Sequence, residues 1–230
     1  MKKEIYSDIS RAAGLLFDRG YSEGFGGNVS VRIDGTDLNM LDCCRDYKPR
    51  KLDMALDLNP LNNDVIIITT TGSRMYQVRD NPVDKTTIIF IEQGNAFLMK
   101  ENEPSSELKC HIGIYSVCSD FSSIVHTHPP YSTALCARYS GIKDLNSVLK
   151  KAHGEFDIVF PRGIGFVENR KPGSEQLSSD IISAFREYST VLMRRHGIIS
   201  GSTDIFKAFD NIDIIEKCAS IAILSNNSSI

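Results

Sequence analysis

Ser122-Ser123-Ile124-Val125-His126-Thr127-His128-Pro129 is the stretch from which the rest of the chain is best read. It is an apolar, strand-like run that ends in two histidines spaced i, i+2. Alternate side chains of a strand point to one face, so His126 and His128 can present both imidazoles to a single ion. Taken alone, such a pair is more often made of ordinary core or surface histidines than of ligands, and the surrounding sequence has to decide.

Upstream, Pro104-Ser105-Ser106-Glu107 reads as the start of a helix. Serine there caps orphan amides, an acid in the first turn suits the helix dipole, and Leu108, Ile112 and Tyr115 supply a buried stripe. Thr87–Ile91 and Ala96–Met99 read as strands of a hairpin through Gln93-Gly94-Asn95. Val65–Thr69 reads as a buried strand that ends in Thr70-Thr71-Gly72-Ser73. Residues 34–64 lose periodicity and are expected to leave the core, as a hairpin excursion. Gly24-Phe25-Gly26-Gly27-Asn28 feeds an alternating strand at Val29, Val31 and Ile33, and residues 4–20 carry a helical pattern stopped by Gly20.

Downstream of Pro129-Pro130, Ser132–Tyr139 reads as helix, Ile158-Val159-Phe160 as a strand, and Gly163 and Gly165 as a turn. Residues 174–187 read as helix. Thr190–Ser200 reads as one strand carrying His196, and Thr203–Leu224 as a last helix before the polar tail Ser225–Ser229. Irregularly alternating strands and helices, with several strands joined as hairpins, predict a layered α/β fold with a mixed or largely antiparallel sheet.

A chain of 230 residues can bury a sizeable core, and one domain spanning 1–230, with the excursion at 34–64, is expected. A formal charge of −3 without clustered Lys or Arg gives no footprint for nucleic acid. No run approaches the roughly 18 apolar residues of a membrane span, and the start lacks the apolar core of a signal peptide. The expected compartment is the cytoplasm. Six cysteines without a CxxC pair predict reduced thiols rather than a disulfide framework or a thiolate zinc site.

Catalytic zinc sites use three protein ligands and keep positions for water or substrate. His126, His128 and His196 supply three imidazoles if their strands are neighbours. His111, one helical turn after Glu107, is the alternative third imidazole. Glu107 stands as a fourth ligand or a base, and His153 reads as a loop residue. An anionic ligand beside the ion would draw on Asn28, Thr71-Gly72-Ser73 and Ser105-Ser106, the last pair at a helix N-terminus where the dipole favours phosphate.

Gly26-Gly27-Asn28-Val29-Ser30-Val31-Arg32, Thr70-Thr71-Gly72, Pro104-Ser105-Ser106-Glu107-Leu108-Lys109-Cys110-His111, Val125-His126-Thr127-His128-Pro129 and Arg194-Arg195-His196-Gly197 follow one another in an order and spacing that resembles the class II aldolase/adducin family. That family includes sugar-phosphate aldolases of the L-fuculose-phosphate type, pentose-phosphate epimerases and a dehydratase. The resemblance implies a three-layer α/β/α fold with a central mixed, largely antiparallel sheet, and a homotetramer. It implies zinc, or another divalent ion such as manganese or cobalt, on His126, His128 and His196, with Glu107 as an additional ligand at rest. It also implies that Gly27, Asn28, Thr71, Gly72, Ser105 and Ser106 hold a substrate phosphate and that Glu107 is the acid/base.

The activity so implied is retro-aldol cleavage of a phosphorylated ketose, similar to fuculose 1-phosphate, into dihydroxyacetone phosphate and an aldehyde. A glutamate at position 107, where the similar epimerases carry aspartate, favours an aldolase over an epimerase. Dehydration of a ketose 1-phosphate of the methylthioribulose type, decarboxylation of a sugar-acid phosphate, and an adducin-like binding role without catalysis are the alternatives. The sequence departs from the family pattern in offering no clear counterpart to the aldehyde-side tyrosine. Tyr131 and Tyr139 fall early, and the tail has no tyrosine.

Overall fold

The computed structural model describes residues 2–33, 41, 44, 46–139 and 141–226. The alternation of Asn28, Ser30 and Arg32 with Val29, Val31 and Ile33 builds β1 (Asn28–Ile33), the middle strand of the sheet, which has nine strands among the described residues. The others are β2 (Arg50–Leu52), β3 (Val65–Thr69), β4 (Thr86–Glu92), β5 (Asn95–Leu98), β6 (Ser123–Thr127), β7 (Gly165–Val167), β8 (Thr190–Met193) and β9 (Gly197–Ser202). They lie in the order β2-β5-β4-β3-β1-β6-β9-β8-β7. Every neighbouring pair is antiparallel except β7 with β8. The mixed, largely antiparallel sheet is as expected.

Helices α1 (Lys2–Asp18), α2 (Met75–Asp80), α4 (Pro130–Arg138), α5 (Ile142–Ala152), α6 (Glu155–Val159) and α8 (Ile205–Asn226) cover one face; α3 (Leu108–Val117) and α7 (Glu175–Phe185) cover the other. The period-two pattern sorts the strands between these layers. Val29, Ile67, Ile88, Val125, Leu192 and Ile198 pack under the first set, while Ile66, Ile68, Ile89, Ile124, Val191 and Ile199 pack under the second. Each such side chain taken out of water contributes about 1.5–3 kcal/mol, which holds the three layers together.

Three local expectations are corrected. Ile158–Phe160 is not a strand: Glu155–Val159 is the short helix α6, because Phe156 and Phe160, one turn apart, are both buried while Ile158 faces outward at 74% exposure. Thr190–Ser200 is two antiparallel strands, β8 and β9, because the chain reverses through Arg194–His196 with Arg195 in the left-handed region at φ 57°. His196 therefore stands on the turn. The excursion does not pair with itself where it is described: β2 adds to β5 at the edge of the sheet. Much of 34–45 and the end of the tail, residues 227–230, lie outside the described residues. The helices α2 and α5 were not anticipated, whereas the hairpin from β4 to β5 turns through Gln93 and Gly94, both at positive φ, as its sequence suggests.

The topology brings several strand ends to one place. Asn28 on β1 pairs with His126 on β6, and His126 pairs with Ile199 on β9. On the other side of β1, Ser30 pairs with Ile68, so the end of β3 and the turn after it stand beside Asn28. Thr70 bridges to Pro104, Thr71 N–H donates to Glu103 O, and Ser105 N–H donates to Thr69 O. These contacts bind the turn after β3 to the N-terminus of α3.

Candidate active site

His126 ends β6 on the sheet face that carries α3, His128 follows at the strand exit, and His196 reaches them from the turn between β8 and β9. One ring nitrogen from each lies within 4.8 Å of the others. Glycines make the approach possible. A Cβ on Gly197 would stand 2.3 Å from Thr127 O and 2.7 Å from His128 Cδ2, and one on Gly27, at φ 80°, would stand 2.8 Å from His126 O. No side chain fits at either place. His111 does not join the cluster; its Nδ1 meets Ser30 Oγ at 2.7 Å, and Ser30 Oγ also meets Tyr115 Oη at 2.8 Å. His153 follows α5, and its Nδ1 accepts a hydrogen bond from Glu155 N–H.

The partners of these imidazoles fix which nitrogens carry protons. His126 Nδ1–H donates to the Ile198 carbonyl at 2.9 Å, and His128 Nδ1–H donates to Glu23 Oε1 at 2.8 Å. Both Nε2 atoms then turn inward, where they face each other at 3.1 Å. Glu107, an acceptor when ionised, adds Oε2 at 3.4 Å from His126 Nε2 and Oε1 at 3.5 Å from His196 Nε2. Ring nitrogens of three imidazoles and a carboxylate thus converge on one small space, the arrangement in which such groups hold a cation. The donor set therefore fits a divalent metal of the kind that imidazole and carboxylate bind.

Glu107 lies one residue ahead of α3 and is almost buried. Burial, the largest influence, pushes its carboxyl up. His126, the hydrogen bond from Asn28 Nδ2 at 2.9 Å, and His196 outweigh it and hold the group well below the usual carboxylate range. Burial lowers His126, and burial with the neighbouring His126 ring pushes His196 down to about 4. Burial also lowers His111 to about 3. At neutral pH the centre thus holds an ionised carboxylate beside the neutral imidazoles of His126 and His196. Among the described residues, Asn28 Oδ1, His111 Nε2 and His196 Nδ1 are buried polar atoms without a hydrogen-bond partner, a local concentration of the kind that accompanies function.

The expected phosphate residues sit around the same cavity of about 660 Å³, whose lining includes Gly27, Asn28, Thr71, Gly72, Ser105 and Ser106 together with Glu107 and the three histidines. Thr71, Gly72 and Ser106 are exposed to it, and Gly72 has φ 72°. Ser105 is buried and its Oγ accepts a hydrogen bond from Glu107 N–H at 3.3 Å, which holds the residue ahead of the helix, while the first amides of α3 have no side-chain cap. The amide of Asn28 is committed to Glu107. Ser73, also foreseen, pairs with Thr70 Oγ1 at 2.6 Å and is buried. Glu23, Phe25 and Pro172 also line the cavity and were not singled out. Glu23 carries no periodic signal because it lies in a turn, and its role depends on a contact 105 residues away. No tyrosine lines this cavity among the described residues, and Tyr131 opens instead onto a separate cleft with Tyr21 and Glu216.

Curated relatives span nearly the same length. A rhamnulose-1-phosphate aldolase of Bacteroides thetaiotaomicron is 25% identical over 240 residues, which cover 99% of this chain and 87% of the relative. An L-fuculose phosphate aldolase of Methanococcus maripaludis is 26% identical over 221 residues, covering 96% of this chain and 97% of its own. The crystal structure of a sugar-phosphate aldolase from Thermotoga maritima superposes with a TM-score of 0.82 at 28% identity, over 100% of this chain and 98% of that one. Residues 7–223 match the family described as Class II Aldolase and Adducin N-terminal domain, and the chain belongs to that family.

Proposed function

We propose that the protein is a divalent-metal-dependent lyase that cleaves a phosphorylated ketose into dihydroxyacetone phosphate and an aldehyde. The observation that carries this reading is the convergence of His126, His128 and His196, one ring nitrogen of each within 4.8 Å of the others, beside the Glu107 carboxylate. The names of the relatives, aldolases acting on rhamnulose and fuculose phosphates, support the same class of substrate.

His126, His128 and His196 would hold the metal, zinc or an alternative such as manganese or cobalt, and Glu107 would complete the site at rest. A cation there supplies Lewis acidity toward the carbonyl oxygen next to the bond that breaks. Thr71, Gly72, Ser106 and Gly27 ring the phosphate, which meets the positive end of α3, and Ser105 and Asn28 hold that wall in place. In cleavage, the carbon–carbon bond breaks, the hydroxyl on the aldehyde side gives up its proton and becomes a carbonyl, and the other carbon takes up a proton. Glu107, ionised at rest and aimed into the cavity, carries the proton to and from that second carbon. Asn28 keeps the carboxylate turned toward it.

The reading includes assembly into a homotetramer, which the resemblance to the class II aldolase/adducin family implies. Glu107→Gln tests the chemistry. It should leave one divalent ion bound per chain while abolishing exchange of the carbon-bound proton of dihydroxyacetone phosphate with solvent, and exchange retained by the variant would remove Glu107 from this role.

A further inference from the structure

The two strand histidines are anchored differently. His126 donates to a backbone carbonyl, Ile198 O, inside the sheet, and its ring is buried. His128 donates instead to the carboxylate of Glu23, whose side chain is 72% exposed on the turn before β1. That turn is closed by Gly26 N–H donating to Glu23 O at 2.7 Å. Gly26 lies directly against the pair: a Cβ there would stand 2.8 Å from His128 Nδ1 and 3.1 Å from Glu23 Cδ. The chain has room for the carboxylate–imidazole contact only because residue 26 has no side chain.

The same turn forms one wall of the cavity. Phe25 is 71% exposed at its tip, Gly27 lies beside the site, and Asn28 at its end holds Glu107. One short segment therefore grips the His128 ring through Glu23 and the Glu107 carboxylate through Asn28. We propose that Glu23 is a positioning residue that orients His128 for the metal and couples metal affinity to the conformation of the 23–27 turn, and through it to occupancy of the anion pocket.

The proposal rests on the metal reading given above. Its physical basis is that a carboxylate on the distal nitrogen fixes tautomer and ring orientation and raises the basicity of the other nitrogen, and loss of such a partner commonly costs 10–100-fold in metal affinity. Because coupling between sites is reciprocal, an anion that settles the turn tightens metal binding, and metal tightens anion binding by the same factor.

The test is zinc affinity by competition with a chromophoric chelator, with and without inorganic phosphate, on wild type, Glu23→Ala and Glu23→Asp. Visible spectra of the cobalt-loaded proteins report the ligand geometry, and melting of the metal-free proteins reports folding. The expected result is zinc binding weakened roughly 10–100-fold in Glu23→Ala, a changed cobalt spectrum, an unchanged metal-free melt, and partial recovery in Glu23→Asp. Phosphate should tighten zinc binding in wild type and do so far less in Glu23→Ala. Wild-type zinc affinity and cobalt spectrum in Glu23→Ala would overturn the positioning role, and an equal phosphate effect in both proteins would overturn the coupling. A wild type that takes up no divalent ion would bring down the proposed function itself, and this inference with it.

Discussion

Asn28 and Glu107, 79 positions apart in the chain, are joined by a hydrogen bond from Asn28 Nδ2 to Glu107 Oε2 of 2.9 Å in the buried floor of the cavity. Asn28 opens the central strand β1 and Glu107 stands just ahead of α3, so the bond ties the sheet to the helix layer beside the three histidines. A donor of this kind stabilises the charged form of the acid and fixes which oxygen is left to face the substrate.

Asn28→Ala removes that donor. A hydrogen bond to a charged group is worth about 1.5–3 kcal/mol, so kcat should fall roughly 10–100-fold. The ionised form of Glu107 loses support, its pKa rises, and the acidic limb of the pH–rate profile should move upward. A profile that keeps its acidic limb in place would show that Asn28 does not set the charge of Glu107.

Gly197→Ala should damage both stability and the metal centre. The new methyl group would meet Thr127 O at 2.3 Å and His128 Cδ2 at 2.7 Å, at the end of β6 and just beyond it, between His126 and His128. Overpacking of this kind costs about 1–3 kcal/mol, seen as a lower melting temperature, with zinc affinity falling in parallel. An alanine variant that melts and binds zinc like wild type would mean that β9 can shift freely against β6.

Ser106→Ala and Thr71→Ala test the phosphate wall. Each loses one hydroxyl exposed to the cavity, a change of about 1 kcal/mol. kcat/KM should fall about fivefold, with weaker inhibition by inorganic phosphate and intact metal binding. Unchanged inhibition constants in both would place the phosphate elsewhere.

The metal-free protein should lose stability on acidification well above the carboxylate range. His111 at about 3 and His196 at about 4 bind protons less well folded than unfolded, where histidine titrates near about 6.5. Below that pH the unfolded chain takes up more protons, so stability falls as pH drops from about 6.5 toward 4. For His111, fully buried, the loss by pH 5 is roughly 2 kcal/mol. Glu107, whose pKa is depressed, contributes stability present above its unfolded pKa and lost only at lower pH. Urea titrations at pH 7 and pH 5 measure the difference, and His111→Gln should reduce the slope by about one proton.

What could be read in advance followed from how local each signal is. The strand that leads into the histidine pair and the hairpin at Gln93-Gly94 depend on neighbours in sequence and stand where periodicity puts them, whereas α3 begins after Glu107 without the expected serine cap on its first amides. Ile158–Phe160 misled because an apolar β-branched run is ambiguous, and only the i, i+4 burial of Phe156 and Phe160 identifies a helix. The break at Arg194–His196 has neither Gly nor Asn at its left-handed position, so nothing local announced it. In β1 the alternation marks a strand but does not show that its polar side is buried. Asn28, Ser30 and Arg32 are met there by Glu107, His111 with Tyr115, and Asp64, all supplied by distant segments. Glu23 escaped for the same reason.

The most direct measurement is release of dihydroxyacetone phosphate from a panel of ketose 1-phosphates by zinc-loaded protein, run beside a chelated control and His196→Ala. The account predicts release from at least one member of the panel, abolished by the chelator and by the substitution, with restored activity when zinc is returned to the chelated wild type. Protein that holds zinc on the three histidines and releases none from any ketose would contradict the aldol reading and turn attention to loss of water or carbon dioxide at the same centre.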